Sequence, residues 1–208
     1  MEGRLEWSGT EVAANGARRR YGADSHTNHC SARHMNIRLA TVDDATALAK
    51  IHVESWLKAY RGIVPDAHLH GFTVERRTER FRQSLADNSE ETYVAELDGQ
   101  ILGFLTLGDC RDSDVDHSTT GEIWGIYLSP QHWRKGIGRF LAKQGESMLA
   151  SRGCSVATLW VLEANGQARR FYEAMGFETD GATKEVELGA PLKAVRYRKK
   201  LKDAEPEN

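Results

Sequence analysis

The sequence predicts a single mixed α/β domain, and three observations carry that prediction. Strand-like segments and segments with helical apolar spacing follow one another from residue 36 onward. Two of the strands are joined by Asp98-Gly99, the preferred chemistry of a two-residue hairpin, whereas others are separated by helices long enough to be crossovers. Hairpins and crossovers in one chain give a mixed sheet with helices on both faces. A length of 208 residues fits one domain, or one domain with a tail, and suffices to bury a core.

In order along the chain, Ile37–Ala40 reads as a strand, and Thr41 or Asp43 can cap the helix after it. Leu48, Ile51, His52, Ser55, Trp56 and Ala59 give that helix its period, and Gly62 and Pro65 end it. A second helix is expected over about 74–87, with Val74, Phe81 and Leu85 as its apolar positions. The hairpin Thr92–Leu97 and Ile101–Leu107 comes next, followed by a polar loop over 108–120 and a strand over Glu122–Leu128. Pro130 stops that strand, and a helix opens at Gly136–Gly138 with Ile137, Phe140, Leu141, Met148 and Leu149 on one face. Ser155–Leu162 is a further strand, and Gln167–Met175 a helix closed by Gly176. Weaker strands over about 182–188 and 193–200 complete the domain, which is bounded at 35–202, with 203–208 as a disordered tail.

Residues 1–34 have almost no periodic apolar pattern, too little to offset the entropy of ordering, and are expected to form a disordered extension. His26, His29, Cys30 and His34 cluster there, but a zinc site needs ligands held in tetrahedral geometry and nothing nearby supplies a frame; no metal is expected. A formal charge of −2 lacks the basic balance of a nucleic-acid binder, and no apolar run approaches a membrane span. The three cysteines are odd in number and widely spaced, so a disulfide framework is not expected and a reducing cytoplasm is. The basic run Arg196–Lys202 reads as an edge strand guarded by lysines rather than as an RNA or membrane contact.

The most informative stretch is Ile126-Tyr-Leu-Ser-Pro130-Gln-His-Trp-Arg134-Lys-Gly136-Ile-Gly138-Arg139, a strand running through a proline loop into a glycine-bearing helix start. Helix N-termini present unpaired N–H groups and partial positive charge, so they attract phosphate. Gly136 and Gly138 let an anion approach the backbone, and Arg134, Lys135 and Arg139 add charge, so a pyrophosphate is the natural ligand. A dinucleotide fingerprint would need a third glycine where Leu141 stands, and no Gly-Lys-Ser/Thr of a P-loop occurs.

This stretch resembles motif A of the GCN5-related N-acetyltransferases (GNAT), in which a strand, a proline and a basic GxG loop hold the pyrophosphate of CoA. Asn165-Gly-Gln-Ala-Arg-Arg-Phe171-Tyr172-Glu-Ala-Met-Gly176-Phe177 is similar to the family's motif B. The resemblance covers about 36–200 and implies a mostly antiparallel sheet of about six to seven strands, with a splayed central pair holding the cofactor. It departs from the family at Trp133, where a Gln or Arg is common. By position it implies that main-chain groups of Ile126, Tyr127 and Leu128 pair with the pantetheine arm, and that Arg134, Lys135, Gly136, Ile137, Gly138 and Arg139 cradle the pyrophosphate. Asn165 would contact the cofactor and Tyr172 would protonate the departing thiolate. Gly125 is the implied place for a bulge that splays the strand.

The implied reaction is direct acetyl transfer from acetyl-CoA to an amine of a small molecule, peptide or protein. An ammonium must lose its proton before it attacks, and Glu122, opening the cofactor strand, is the chosen general base; Glu163 and His117 are its rivals. Cys154 reads as core rather than as an acyl carrier. His52, Trp56 and Tyr60 share one face of the first helix, and Trp56 and Tyr60 are the acceptor-side candidates, since a cationic amine favours an aromatic wall. Trp160 reads as packing. A catalytically silent acyl-CoA sensor is the alternative function, and the resemblance leaves a homodimer open.

Overall fold

A computed structural model describes residues 35–201, so the expectations for 1–34 and for the tail 203–208 lie outside the described residues. The strands are β1 (Asn36–Leu39), β2 (Glu91–Leu97), β3 (Gln100–Asp109), β4 (Thr120–Leu128), β5 (Val156–Leu162), β6 (Glu178–Glu187) and β7 (Pro191–Lys200). The helices are α1 (Ala45–Ala59), α2 (Asp66–Leu69), α3 (Val74–Asp87), α4 (Ile137–Ser151) and α5 (Gly166–Ala174). One sheet holds all seven strands in the order β1-β2-β3-β4-β5-β7-β6, and only β4 and β5 run parallel. The expected mostly antiparallel sheet flanked by helices is therefore present.

Local chemistry explains the joints. Thr41 precedes a short 3-10 turn, and its N–H donates to Asp44 Oδ2 at 2.7 Å, a reciprocal cap that aims the chain into α1. At the β2–β3 turn Asp98 and Gly99 both have positive φ (51° and 76°), as a type I′ hairpin requires. The four-residue α2 escaped the sequence reading because one turn carries no measurable period. β6 begins earlier than expected, at Glu178. A register shift between Thr179 and Thr183, around Gly181 at φ 87°, breaks the alternation that would have announced it.

Alternation along β4 divides the core. Ile126 and Leu128 pack with Leu141 of α4 and Tyr172 of α5 on one face of the sheet. Tyr127 joins Trp56 of α1 and Phe81 of α3 on the other. The β3–β4 register jumps from Leu107↔Ile123 to Thr106↔Gly125, so the extra, bulged residue is Trp124. The sequence reading put the bulge one residue later, at Gly125. That glycine has a separate reason to be there: a Cβ would lie 2.5 Å from Cε2 of Tyr127.

Candidate active site

The site is built on a divergence. β4 and β5 pair only from Thr120↔Val156 to Glu122↔Thr158. Beyond that point β4 stays bonded to β3 as far as Leu128↔Gly103, and β5 to β7 as far as Leu162↔Ala194. The facing edges of the two arms therefore leave a wedge whose vertex is Glu122 and whose open end leads into the loop before α4.

In that loop the chain turns through a 3-10 turn at Pro130–His132, and Arg134 (φ 61°) and Gly136 (φ 86°) both adopt left-handed backbone. The space where a Gly136 side chain would stand is open, with nothing within 4 Å. The first α4 bond runs from Phe140 N–H to Gly136 O at 3.0 Å. The N–H groups of Ile137, Gly138 and Arg139 precede it and point out of the helix start. Arg134, Lys135 and Arg139 are exposed around them. Trp133, the residue that departs from the motif, donates through Nε1 to Leu128 O at 3.0 Å, so one main-chain acceptor expected to meet the pantetheine arm is already engaged.

Asn165 caps α5, its Oδ1 accepting from Ala168 N–H at 3.0 Å. Its Nδ2 is buried and has no hydrogen-bond partner among the described residues. An orphaned buried donor is costly, and an acceptor brought by a cofactor would satisfy it. Tyr172 is fully buried, edge-on to Phe171 and Phe177, in the same cluster as Ile126 and Leu128 of β4 and Leu159 and Val161 of β5. It thus underlies both arms of the wedge. These residues fit a pantetheine pyrophosphate: an unpaired strand edge, an anion-binding helix start and an unmatched amide donor.

Glu122 is buried at the vertex, and both its oxygens are engaged. Oε2 accepts from the backbone N–H of Arg111 at 3.0 Å and from its Nε at 3.1 Å, while Oε1 accepts from Nη2. The Arg111 guanidinium also lies over Trp124, 4.7 Å from the ring. Of the rival bases, Glu163 is ion-paired with Lys193 at 2.9 Å and His117 is exposed. Burial raises the thiols of Cys110 and Cys154 above their ordinary value, which disfavours the thiolate an acyl carrier would need.

On the opposite face of the sheet, Trp56 and Tyr60 are wholly buried in an aromatic stack with Phe72 and line neither of the two cavities there. α1 turns both side chains into the core on this face of the sheet. His52, one turn earlier, reaches a cavity of about 40 Å³ that it shares with Arg77, Arg80, Gly125 and Tyr127. Its ring is 4.5 Å from that of Tyr127, and Nδ1 is buried without a partner among the described residues. Burial, then the charges of Arg77 and Arg80, hold its pKa well below the ordinary value, so the imidazole is neutral.

Beyond this cavity lies a cleft of about 1270 Å³ between α3 and β6, lined among others by Arg76, Arg77, Arg80, Arg111, Asp112 and Lys184. Trp160 packs in the core on this side, its Nε1 donates to Asp112 at 2.9 Å and Lys184 Nζ sits 4.0 Å over its ring. Sequence reasoning missed this basic wall. Its signal was the spacing of Arg76, Arg77 and Arg80, which places three guanidiniums along one side of a helix. Arg111 gave no signal, because its tie to Glu122 spans the whole loop 110–119.

The family model for the acetyltransferase (GNAT) family matches residues 51–177. The uncharacterized N-acetyltransferase YuaI of Bacillus subtilis is 30% identical over 167 residues, covering 76% of this chain and 93% of its own. A spermidine N(1)-acetyltransferase of Thermoplasma acidophilum is 24% identical over 156 residues, covering 71% and 92%. Among solved structures, the PaiA N-acetyltransferase of Thermoplasma acidophilum in complex with coenzyme A superposes with a TM-score of 0.62 at 22% identity, covering 80% of this chain and 99% of that one. No helix among the described residues is long and apolar enough to cross a membrane.

Proposed function

The chain belongs to the GNAT family of acetyltransferases, and on that premise we propose that it moves the acetyl group of acetyl-CoA directly onto an amine. The observation that carries the reading is the divergence of β4 from β5 past Glu122↔Thr158, with the α4 N-terminus at its open end. The coenzyme A bound by the Thermoplasma relative supports the choice of ligand.

In this reading the β5-facing edge of β4 at Ile126 and Tyr127 takes the pantetheine arm as an added strand. Leu128, whose carbonyl is held by Trp133, contributes less. The α4 start, with Arg134, Lys135, Gly136, Ile137, Gly138 and Arg139, takes the pyrophosphate, and Asn165 Nδ2 takes an acceptor on the cofactor. The amine attacks the thioester carbonyl carbon, the C–S bond breaks, and the Tyr172 hydroxyl donates its proton to the thiolate. Glu122 collects the amine proton through water. Its carboxylate has about four lone-pair positions, so the Arg111 contacts leave it able to accept from one more donor. Positioning supplies most of the acceleration, and each proton transfer about 10²–10⁴-fold. Trp56 and Tyr60 support the acceptor wall from behind, and a reducing cytoplasm is the proposed compartment.

Calorimetric titration with acetyl-CoA tests the reading. Wild type binds, Gly138→Glu does not because a carboxylate fills the anion site, and Tyr172→Phe binds normally but turns over about 10²–10⁴-fold more slowly. Wild-type protein that binds neither acetyl-CoA nor CoA would reduce the glycine loop to an ordinary helix start.

A further inference from the structure

We propose that the reacting nitrogen of the acceptor is a primary amine on an unbranched methylene, and that it seats in the inner cavity against the His52 imidazole. This deepens the acetyl-transfer reading and rests on it. Four rings close a circuit at the cavity wall. His52 meets Tyr127 at 4.5 Å and Phe81 at 6.1 Å, Phe81 meets Phe104 at 5.5 Å, and Phe104 meets Tyr127 at 5.1 Å. At about 40 Å³ the hollow holds roughly three water-sized groups: the nitrogen, its methylene and the next carbon of a straight arm. A methyl or carboxyl branch on the carbon that bears the nitrogen would press on the rings. The polar atoms of the wall are not equivalent. The Thr106 hydroxyl is bonded to that of Thr92 at 2.9 Å, whereas His52 Nδ1 is buried without a partner among the described residues. An N–H group brought by a ligand removes the cost of that orphan.

The cavity also lies on the side of the sheet from which an attack is open. Tyr172, the proposed acid, packs with Ile126 and Leu128 on the α4–α5 face, whereas Phe81, Phe104 and Tyr127 belong to the core on the α1–α3 face. An amine beside Gly125 and Tyr127 therefore meets β4 opposite the departing thiolate. Arg77 and Arg80 line both the cavity and the large cleft, so a straight arm from an acceptor in the cleft enters past them. Glu90 stands beside them, so the entrance carries both signs of charge, and shape and the imidazole select the guest. His52, held neutral chiefly by burial, accepts an N–H of the amine without taking its proton. The nitrogen lone pair forms the N–C bond as the C–S bond breaks. The amine proton goes to Glu122 through water, and the thiolate proton comes from Tyr172.

The test is competition within one molecule. Propylenediamine carries one amine on a methylene and one on a methyl-bearing carbon, and lysinamide carries its side-chain amine on a methylene and its α-amine on a branched carbon. Each is incubated with the full chain and acetyl-CoA, product regiochemistry is read by NMR, and the acetyl-CoA Kd is measured by calorimetry on the same samples. Acetylation of the methylene amine is expected to exceed that of the branched one roughly 10–200-fold, the range for one carbon too many in a fitted pocket. His52→Leu is expected to lower kcat/KM for the methylene amine about 2–12-fold at unchanged acetyl-CoA Kd. His52→Asn, whose amide stands in the place of Nδ1, is expected to recover most of that loss. Comparable acetylation of the branched amine, intact acetyl-CoA binding with neither methylene amine accepted, or a His52→Leu variant as active as His52→Asn overturns this inference alone. Loss of wild-type acetyl-CoA binding overturns the acetyl-transfer reading and this inference with it.

Discussion

Replacing Asn165 separates two jobs that one side chain performs through different atoms. Oδ1 caps α5 through the 3.0 Å bond from Ala168 N–H, whereas Nδ2 is buried with no partner among the described residues. Asn165→Ala removes both. Loss of the cap costs about 1 kcal/mol, and for a domain of this size that lowers Tm by about 2–4 °C. If Nδ2 bonds the cofactor, the same variant also loses about 0.5–1.5 kcal/mol of binding, or about 2- to 12-fold in the acetyl-CoA Kd. Asn165→Asp keeps an oxygen at the cap, where Asp and Asn rank together and a negative charge suits the helix N-terminus. It removes the donor and sets a negative charge where the proposed cofactor acceptor would lie. Its Tm without ligand is therefore expected above that of the alanine variant, while its acetyl-CoA affinity falls at least as far. Thermal melting without ligand and calorimetry with acetyl-CoA measure the two quantities separately. An alanine variant that binds acetyl-CoA like wild type, whatever its Tm, would remove Asn165 from the cofactor site.

The remaining predictions concern charges. Glu122→Gln is expected to lower kcat/KM by about 10²–10⁴-fold at neutral pH, read as thiol release at matched acetyl-CoA saturation; a variant that turns over like wild type would remove Glu122 from the proton path. His52, its pKa depressed by burial and then by Arg77 and Arg80, takes up its proton later in the folded than in the unfolded chain as pH falls. Its contribution to stability is thus present above the unfolded value of about 6.5 and lost below it, at up to about 1.4 kcal/mol per pH unit. Urea unfolding of His52→Gln should show a shallower loss between wild-type pH 6.5 and lower values, and equal slopes in the two proteins would refute the assignment. Arg196, 7% exposed, binds Asp112, Asp114 and Asp180. Arg196→Leu leaves the half-buried pair Asp112 and Asp180 without their counter-ion, for a loss of about 3–5 kcal/mol by urea unfolding, and a loss under 1 kcal/mol would mean solvent already screens the cluster.

What the sequence made legible follows from the range of the interactions involved. The Asp98-Gly99 hairpin, the 74–87 helix and the proline-to-glycine loop are written in contiguous residues, where a period or a backbone preference is enough. The bulge at Trp124 differs by one residue from the expected Gly125, because a bulge is a property of pairing with β3 and only the register reveals it. The face of the sheet packed by α1 and α3 was least legible. Trp56 and Tyr60 have the periodicity of a buried face, and no local signal says whether such a face meets core or ligand. The Glu122–Arg111 pair and the cluster of Arg196 with Asp112, Asp114 and Asp180 join residues 11, 84, 82 and 16 positions apart, and charge in sequence does not disclose its partner.

The wedge remains open because each arm is satisfied on one side only. β4 completes its ladder with β3 to its last residue, and β5 does so with β7. Closing the gap would require the arms to converge past the vertex, but the Trp124 bulge adds local twist to β4 there. The Glu122–Arg111 clamp fixes the same point from the helix-α3 face. The N–H and C=O groups on the facing edges must therefore find partners other than each other. Water can supply these at the surface, yet the floor of the wedge is the apolar cluster around Ile126, Val161 and Tyr172. A ligand that alternates amide groups with methylenes matches both requirements, since its amides complete the strand edge while its carbons cover the floor. The pantetheine arm has that composition, which is the physical ground for proposing that this edge takes it as an added strand.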